Sequence, residues 1–371
     1  ENSKVIATIG GADTVFTFGE LAAEASLQPV PAAASVPLTN PALFKIIGTT
    51  KPRFDIPAKT DGSAKFGLDV TLPGMVFAAV KHSPALGGTL AKTPATPAGA
   101  LAVVPLTAYD TRGAVTKGTT NAVAVVSTNS WKAMQLARSL SLSWNAPANP
   151  AQVDSATLWT QAQELMTSGV ALETDVAGDV ATELGNAVKG VESVYKLPYL
   201  AHACMEVLNC TVSYDGQFCE IWAPTQSANG ARAAALNVLG LPSTATDKVV
   251  VHTTYAGGGL GRKFENDFVA QAVQVAKVLK KPVKLFWSRE EDFSNDQYRP
   301  MALVRVRSGL DSSKNVAGWW YRHISPSITA QRRTSALTSA DGQATEGSTG
   351  LPYNLGVKLV EWGQHPAPVP V

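Results

Sequence analysis

Two hydrophobic periods run through this chain, and they divide it into strands and helices before any other property is weighed. Near the N-terminal end, "KVIATI" and "TVF" carry the short apolar runs of a strand pair. A helix is predicted from Thr17, because Thr17 and Glu20 stand at capping-box spacing ahead of "LAAEA". The proline-rich "PVPAAASVPLTNP" then favours extended backbone and reads as a linker, with a boundary near residues 29–41.

From about Phe44 to Asn145 the two periods mix. "AKFGLDVTLPGMVFAAVKHSP" alternates like strands around a Pro73-Gly74 turn. "NAVAVVSTNSWKAMQLARSLSLSWN" predicts a buried strand, a helix whose Trp131, Met134, Leu136 and Leu140 face a core, and a closing strand. "NAPANPAQVDS" ends this α/β stretch. Beyond it the pattern predicts a helix around Leu158 to Met166, a strand near Glu192 to Leu197 and a hairpin about Asp215-Gly216. A helix from Ala228 to Leu239, closed by Gly240 and Pro242, comes next. "KPVKLFWSREEDF" supplies a further strand, and Arg299 to Ser325 alternates like an antiparallel pair. The Ser/Thr/Gly-rich sequence past Ala330 reads as loop. Three parts result: 1–40, the end of a preceding domain plus linker; 41–147, a compact α/β domain; and 148–371, a second domain of mixed elements.

Composition adds little to this. A length of 371 residues exceeds one typical core, and 45% apolar with 16% charged residues describes an ordinary globular chain. A net charge of +2 names no partner, and the basic pairs Arg332-Arg333 and Lys280-Lys281 read as solvated, so nucleic acid is not indicated. No stretch reaches the roughly 20 apolar residues of a membrane span. The first residue is Glu1 and the chain runs out on "HPAPVPV", so both ends read as cut points of a longer protein.

Candidate ligand residues are few. Cys204, Cys210 and Cys219 lack CxxC spacing and a fourth ligand, so they read as a buried, inert set. His202 has no second His or Cys at ligand spacing and reads as a satisfied histidine. Asp267, Glu290, Glu291 and Asp292 read as solvated faces or local caps.

The informative stretch is "VVVHTTYAGGGLGRKFENDFVAQAVQVAKVLKK", a β-branched strand, a glycine-crowded turn and a long amphipathic helix. A nucleotide P-loop is excluded, because Arg262-Lys263-Phe264 puts no hydroxyl where magnesium would need one. A dinucleotide fingerprint is disfavoured by Arg262 at its third glycine position and by "VKLFWS" where an acidic residue should stand. A plain turn needs one or two glycines, and each of four glycines in five positions costs roughly 0.5–1 kcal/mol relative to alanine. Amides between Gly258 and Arg262 at a helix start, aimed at an anionic or oxo ligand that touches the main chain, would explain their retention.

"APTQSANGARAAALNVLGLP", "VVVHTTYAGGGLGRK" and "DFVAQAVQVAKVLKKPVKLFWSREEDF" together resemble the molybdopterin-binding large subunit of the xanthine dehydrogenase/aldehyde oxidase family, in particular the branch typified by the isoquinoline 1-oxidoreductase beta subunit. "PRFDIPAKTDGSAKFGLDVTLPGMVFAAVKHSP" and "LPYLAHACMEVLNCTV" extend the likeness over about residues 44 to 325. The resemblance implies an α+β, mixed α/β fold: a hammerhead-like α/β domain over 41–147, then the first part of a molybdenum-cofactor-binding domain with mixed sheets.

Residue by residue, the resemblance implies that Gln226 hydrogen-bonds an oxygen ligand of the metal, and that Gly258, Gly259, Leu260, Gly261 and Arg262 form the cofactor-binding turn. Leu260 replaces the usual aromatic and reshapes the pocket. Phe264 stands where purine-oxidising relatives carry an acid, so purine oxidation is disfavoured, with Glu265 as a weak stand-in in the substrate pocket. No residue here is implied as a direct metal ligand, and the general-base glutamate is expected in a segment outside this chain. The implied cofactor is molybdopterin, in its cytosine dinucleotide form, with molybdenum. The implied partners are the rest of the large subunit as a companion chain, a small subunit carrying [2Fe-2S] clusters, and cytochrome c; the implied location is the periplasm, with the cytoplasm as the alternative. Water-derived hydroxylation of an aldehyde or N-heteroaromatic substrate follows from the same likeness, and the chain alone is not expected to turn over substrate. The alternative is a metal-free scaffold that uses the glycine turn to dock a partner.

Overall fold

The computed structural model describes residues 4–109, 115–147, 154–169, 171–332 and 337–371. The chain divides into two compact units, Glu1–Ser63 and Ala64–Val371. In the first, β1 (Lys4–Ile9) and β2 (Ala12–Thr17) form an antiparallel hairpin about Gly10 and Gly11, whose φ values of +61° and +85° are those a two-residue hairpin turn needs. Helix α1 (Phe18–Ser26) starts at the capping box: Glu20 N donates to Thr17 Oγ1 at 3.2 Å, and Thr17 N donates to Glu20 Oε2 at 2.7 Å. A short helix, α2 (Ile56–Thr60), lies near the end of this unit.

The second unit begins with β3 (Val76–His82), β4 (Thr89–Leu90), β5 (Ala102–Tyr109), β6 (Val115–Ser127), α3 (Ser130–Ser139) and β7 (Trp144–Asn145). It continues with α4 (Ser155–Ser168), β8 (Leu172–Ala177), α5 (Val180–Asn186), β9 (Lys189–Leu197), β10 (Asn209–Tyr214), β11 (Cys219–Ala223), α6 (Ala228–Leu239) and β12 (Val249–Thr253). Then come α7 (Asp267–Leu279), β13 (Val283–Phe286), α8 (Arg289–Ser294), β14 (Ala302–Leu310), β15 (Val316–Ser325), α9 (Ile328–Gln331), α10 (Gly342–Thr345) and β16 (Val357–Gln364). Seven strands make one mixed sheet, ordered β12-β11-β10-β13-β3-β6-β5, and five make another, ordered β8-β16-β15-β14-β9. The mixed α/β class read from the sequence is the observed one.

The larger sheet is covered on both faces, which is why "AVAVV" in β6 is apolar at every position. Ala122, Ala124 and Val126 join the core beneath α6 and α7, while Val125 packs with Ala133 and Ala137 of α3. Small residues Ala231, Ala234 and Ala235 let α6 approach its neighbours closely, and eight of the thirteen residues of α7 are buried. This sheet takes β3, β5 and β6 from before residue 147 and β10 to β13 from after it. The stretches meet where β13 runs parallel to β3, with Val283 opposite Val76.

Two expectations change. Trp131 does not face the core; it is 64% exposed, while Met134, Leu136 and Leu140 pack inward. At about 100° per residue, position 131 falls nearly opposite the buried Ala133. The region past Ala330 is not all loop: β16 pairs in parallel with β15 and antiparallel with β8, burying Val360 and Trp362. Its short alternation, "VKLVEWGQ", follows a Ser/Thr/Gly-rich stretch that masks it. Arg333 and part of "NAPANPAQVDS" lie outside the described residues.

Candidate functional site

Strands β11 and β12 run parallel, so their carboxyl ends lie side by side, and the segments leaving them, 224–226 and 254–261, emerge at the same edge of the sheet. Three hydrogen bonds tie the first segment to the turn and to Lys263 just after it. Gln226 N donates to Lys263 O at 2.8 Å, Thr225 Oγ1 donates to the same carbonyl at 3.1 Å, and Gly261 N donates to Gln226 Oε1 at 3.1 Å. The glycines are needed for close approach: a Cβ on Gly259 would stand 2.4 Å from Gln226 Oε1, and one on Gly257 would stand 2.5 Å from Glu206 Cβ. Leu260 holds a φ of +53°, a left-handed value costing a non-glycine residue roughly 1–2 kcal/mol.

The turn rests on an alternating segment, His202 to Glu206. His202 Nε2 faces Gly261, at 3.4 Å from where its Cβ would be. Cys204 Sγ approaches Gly259 O at 3.3 Å, and Glu206 exchanges backbone and side-chain hydrogen bonds with Gly257, both at 2.9 Å. The residues between them, Ala203 and Met205, are exposed.

Beneath the turn lies a set of buried charges. Lys263 Nζ reaches Glu206 Oε2 at 2.8 Å, and Glu206 also accepts from Leu68 N at 3.1 Å and Asn209 Nδ2 at 3.2 Å. The Arg262 guanidinium is bidentate to Asp267, at 2.9 and 2.7 Å, and its Nε makes a 2.6 Å ion contact with Asp296 Oδ1 that lacks hydrogen-bond alignment. Burial works against charge on Asp267, but Arg262 outweighs it and holds the carboxyl below the usual range. Burial pushes Asp292 up, although Arg289 pulls the other way. The expectation of solvated faces at Asp267 and Asp292 is therefore corrected: both turn inward because buried or half-buried arginines need counter-charges. Glu291 instead accepts from buried His82, at 2.7 Å, and only Glu290 stays largely exposed, paired to Arg138. The three cysteines are buried and free, and burial raises each thiol above its ordinary value.

Gln226, Gly258, Gly259, Leu260 and Gly261 are thus brought together, but the donor set is narrower than the sequence suggests. Gly261 N is taken by Gln226 Oε1 and Arg262 N by Gly259 O, at 2.8 Å, leaving the amides of Gly258, Gly259 and Leu260 without a hydrogen-bond partner among the described residues. Because Gln226 Oε1 accepts from an amide, its free group is the Nε2 donor. Arg262 is turned away from this set. Long helix α7 also starts later than expected, at Asp267, after a turn of 3₁₀-helix at Arg262–Phe264. Phe264 is half exposed and lies under the Arg332 guanidinium. Glu265 is buried and bound by Arg332, so neither the stand-in acid nor the solvated Arg332 is found. A cavity of about 580 Å³ shares Asp267 and Asp296 with the ion cluster, but none of Gln226, Leu260, Gly261 and Phe264 lines it.

Sequence reasoning missed Glu206, Lys263 and Asp296. The alternation of His202, Cys204 and Glu206 was the available signal for the first; nothing local marks a lysine as buried.

Residues 163–327, which include Gln226, the glycine turn and the His202 to Glu206 segment, match the molybdopterin cofactor-binding domain family. The beta subunit of isoquinoline 1-oxidoreductase from Brevundimonas diminuta is 26% identical over 291 residues, covering 76% of this chain and 35% of that protein. Residues 163–327 are thus a molybdopterin cofactor-binding domain, and the chain is similar to molybdenum-binding oxidoreductase subunits. A nicotinate dehydrogenase subunit from Pseudomonas putida is 24% identical over 357 residues, 92% of this chain and 28% of that one. The chain spans about a third of the length of the curated relatives it matches. Its fold is also that of quinoline 2-oxidoreductase from Pseudomonas putida 86, with a TM-score of 0.60 at 16% identity over 85% of this chain and 44% of that one.

The donor set suits the cofactor. Bare amides at 258–260 and the free Gln226 Nε2 are N–H donors, and the missing side chain of Gly259 is what lets Gln226 lie against the turn. Among the described residues no helix is long and apolar enough to cross a membrane.

Proposed function

We propose that this chain is part of the catalytic subunit of a molybdenum hydroxylase that oxidises an aldehyde or N-heteroaromatic substrate, with water as the oxygen source. The observation that supports the reading is the hydrogen bond from Gly261 N to Gln226 Oε1, which leaves Gln226 Nε2 and the amides of 258–260 as unpaired donors of one turn. When bound, the molybdopterin cofactor supplies the redox chemistry. The chain's own part is to hold an oxygen of that group with oriented N–H donors that need no reorganisation. Phe264, half exposed with the Arg332 guanidinium over its ring, stands in place of an acid, which disfavours a purine. Isoquinoline and nicotinate, in the relatives' names, are N-heteroaromatics and favour that substrate class.

The same reading extends to the cytosine dinucleotide form of the cofactor, to the rest of the large subunit, to a [2Fe-2S] small subunit and a cytochrome c as electron partners, and to an exported, periplasmic complex. The test is elemental and pterin analysis of the natively purified assembly, with a screen of aldehydes against N-heterocycles and an artificial electron acceptor. Molybdenum near one per complex is expected, with kcat lowered about tenfold or more in Gln226→Ala, the effect of one lost hydrogen bond in the transition state. A folded assembly without molybdenum would overturn the proposal.

A further inference from the structure

The geometry points to His202 as a ligand-contacting residue of the glycine-turn site, its Nε2 accepting a hydrogen bond from a proton-bearing oxygen seated against Gly261. This rests on the cofactor reading above. Three observations carry it. First, the ring is anchored at one end only. His202 N donates to Asp296 Oδ2 at 2.6 Å and the ring Nδ1 lies 3.1 Å from the same oxygen. Asp296 is nearly inaccessible and its other oxygen is in ion contact with Arg262 at 2.6 Å, so it is a carboxylate and can only accept. The Nδ1 facing Asp296 is therefore the ring's donor, which leaves Nε2 as the nitrogen that can accept.

Second, that acceptor is unspent. Nε2 makes no hydrogen bond among the described residues and faces Gly261, 3.4 Å from the position of a Cβ there. Third, the turn that it faces carries unpaired donors, the amides of 258–260 and Gln226 Nε2. An oxygen held by N–H donors while it still carries a proton needs one acceptor nearby, and His202 is the group placed to supply it. Asp296 and the positive φ of Ala203, +52°, fix the ring's direction, since the chain turns sharply just after His202. An Asp–His pair braced on an arginine resists rotation, as an acceptor of defined direction must.

Two substitutions separate the ends of the ring. His202→Asn keeps an amide where Nδ1 meets Asp296 but removes the reach to Gly261; His202→Gln keeps a polar atom near Nε2. In the full assembly loaded with cofactor, His202→Asn is expected to retain molybdenum and pterin at the wild-type ratio while kcat/KM falls tenfold or more, with His202→Gln recovering part of the loss. Independently of turnover, ¹⁵N-histidine spectra of the cofactor-free assembly should show the Nδ1–H tautomer for the signal absent from His202→Asn, and loading should shift its Nε2 resonance. An Nε2–H tautomer, or a resonance unmoved on loading of an assembly that contains molybdenum, overturns the assignment while leaving the cofactor reading intact. Absence of molybdenum from the wild-type assembly overturns both.

Discussion

Lys263 Nζ lies 2.8 Å from Glu206 Oε2, with the lysine side chain fully buried and the glutamate nearly so. This pair fixes the turn from below, because Glu206 also binds Gly257 N and Leu68 N. Breaking a buried pair strands the remaining charge, at a cost of about 3–5 kcal/mol.

Glu206→Gln should therefore lower stability by about that amount in urea unfolding, and Glu206→Gln with Lys263→Met should recover part of it. Burial alone would raise the Glu206 carboxyl, but Lys263 and Gly257 together outweigh it and hold it below the ordinary glutamate range. A depressed carboxyl stabilises fully above its unfolded-state value and less as pH falls through the folded one, so the substitution should also flatten the acid side of the stability profile. An unchanged urea midpoint would show that the pair is not buried in solution.

Gly257 and Gly259 should respond differently to alanine. At Gly257 the new Cβ meets Glu206 near its backbone, with Cβ at 2.5 Å and N at 3.4 Å, and neither can move freely; the expected loss is about 1–3 kcal/mol. At Gly259 the nearest atoms are the end of the Gln226 side chain, at 2.4 and 2.8 Å, which can swing aside for about 1 kcal/mol while releasing Gly261 N. Thermal melts of both variants with molybdenum analysis check this: Gly257→Ala should melt earlier, and Gly259→Ala should fold but load poorly. Equal melting temperatures would refute the distinction.

His323, in β15, gives a pH window of its own. Burial pushes its imidazole down to about 4, with only an approach to the Ala344 backbone acting the other way. Above about pH 6.5 both folded and unfolded forms are neutral and the residue contributes no pH dependence. Between about 6.5 and 4 the unfolded chain binds a proton that the folded one refuses, so stability falls with decreasing pH by about 3 kcal/mol in all. His323→Leu should remove that decline, as read from urea unfolding at pH 7.5 and pH 4.5. A wild-type profile flat across the window would contradict it.

The likeness of sequence to family was carried by local words, and local words were read well. The Thr17 capping box, the strand pair before it, the turn at Asp215-Gly216 and the Gly240 helix stop depend on residues within a few positions of one another. Trp131 was misjudged because four apolar residues in one helix do not say which stripe meets a sheet until the sheet is present. Strand β16 was missed because its partners, β15 and β8, lie far away in sequence.

At the site the division is the same. The sequence by itself determined that four glycines crowd one turn after a strand, and that Gln226 ends another segment able to reach it. It did not determine which amides stay free, that Arg262 and Lys263 point inward, or that His202, Cys204 and Glu206 line up beneath the turn. Those follow from the parallel pairing of β11 with β12 and from counter-charges supplied by residues 30 to 60 positions away. A buried ion pair is a long-range event: burial creates the cost, and only the folded chain brings the partner that offsets it.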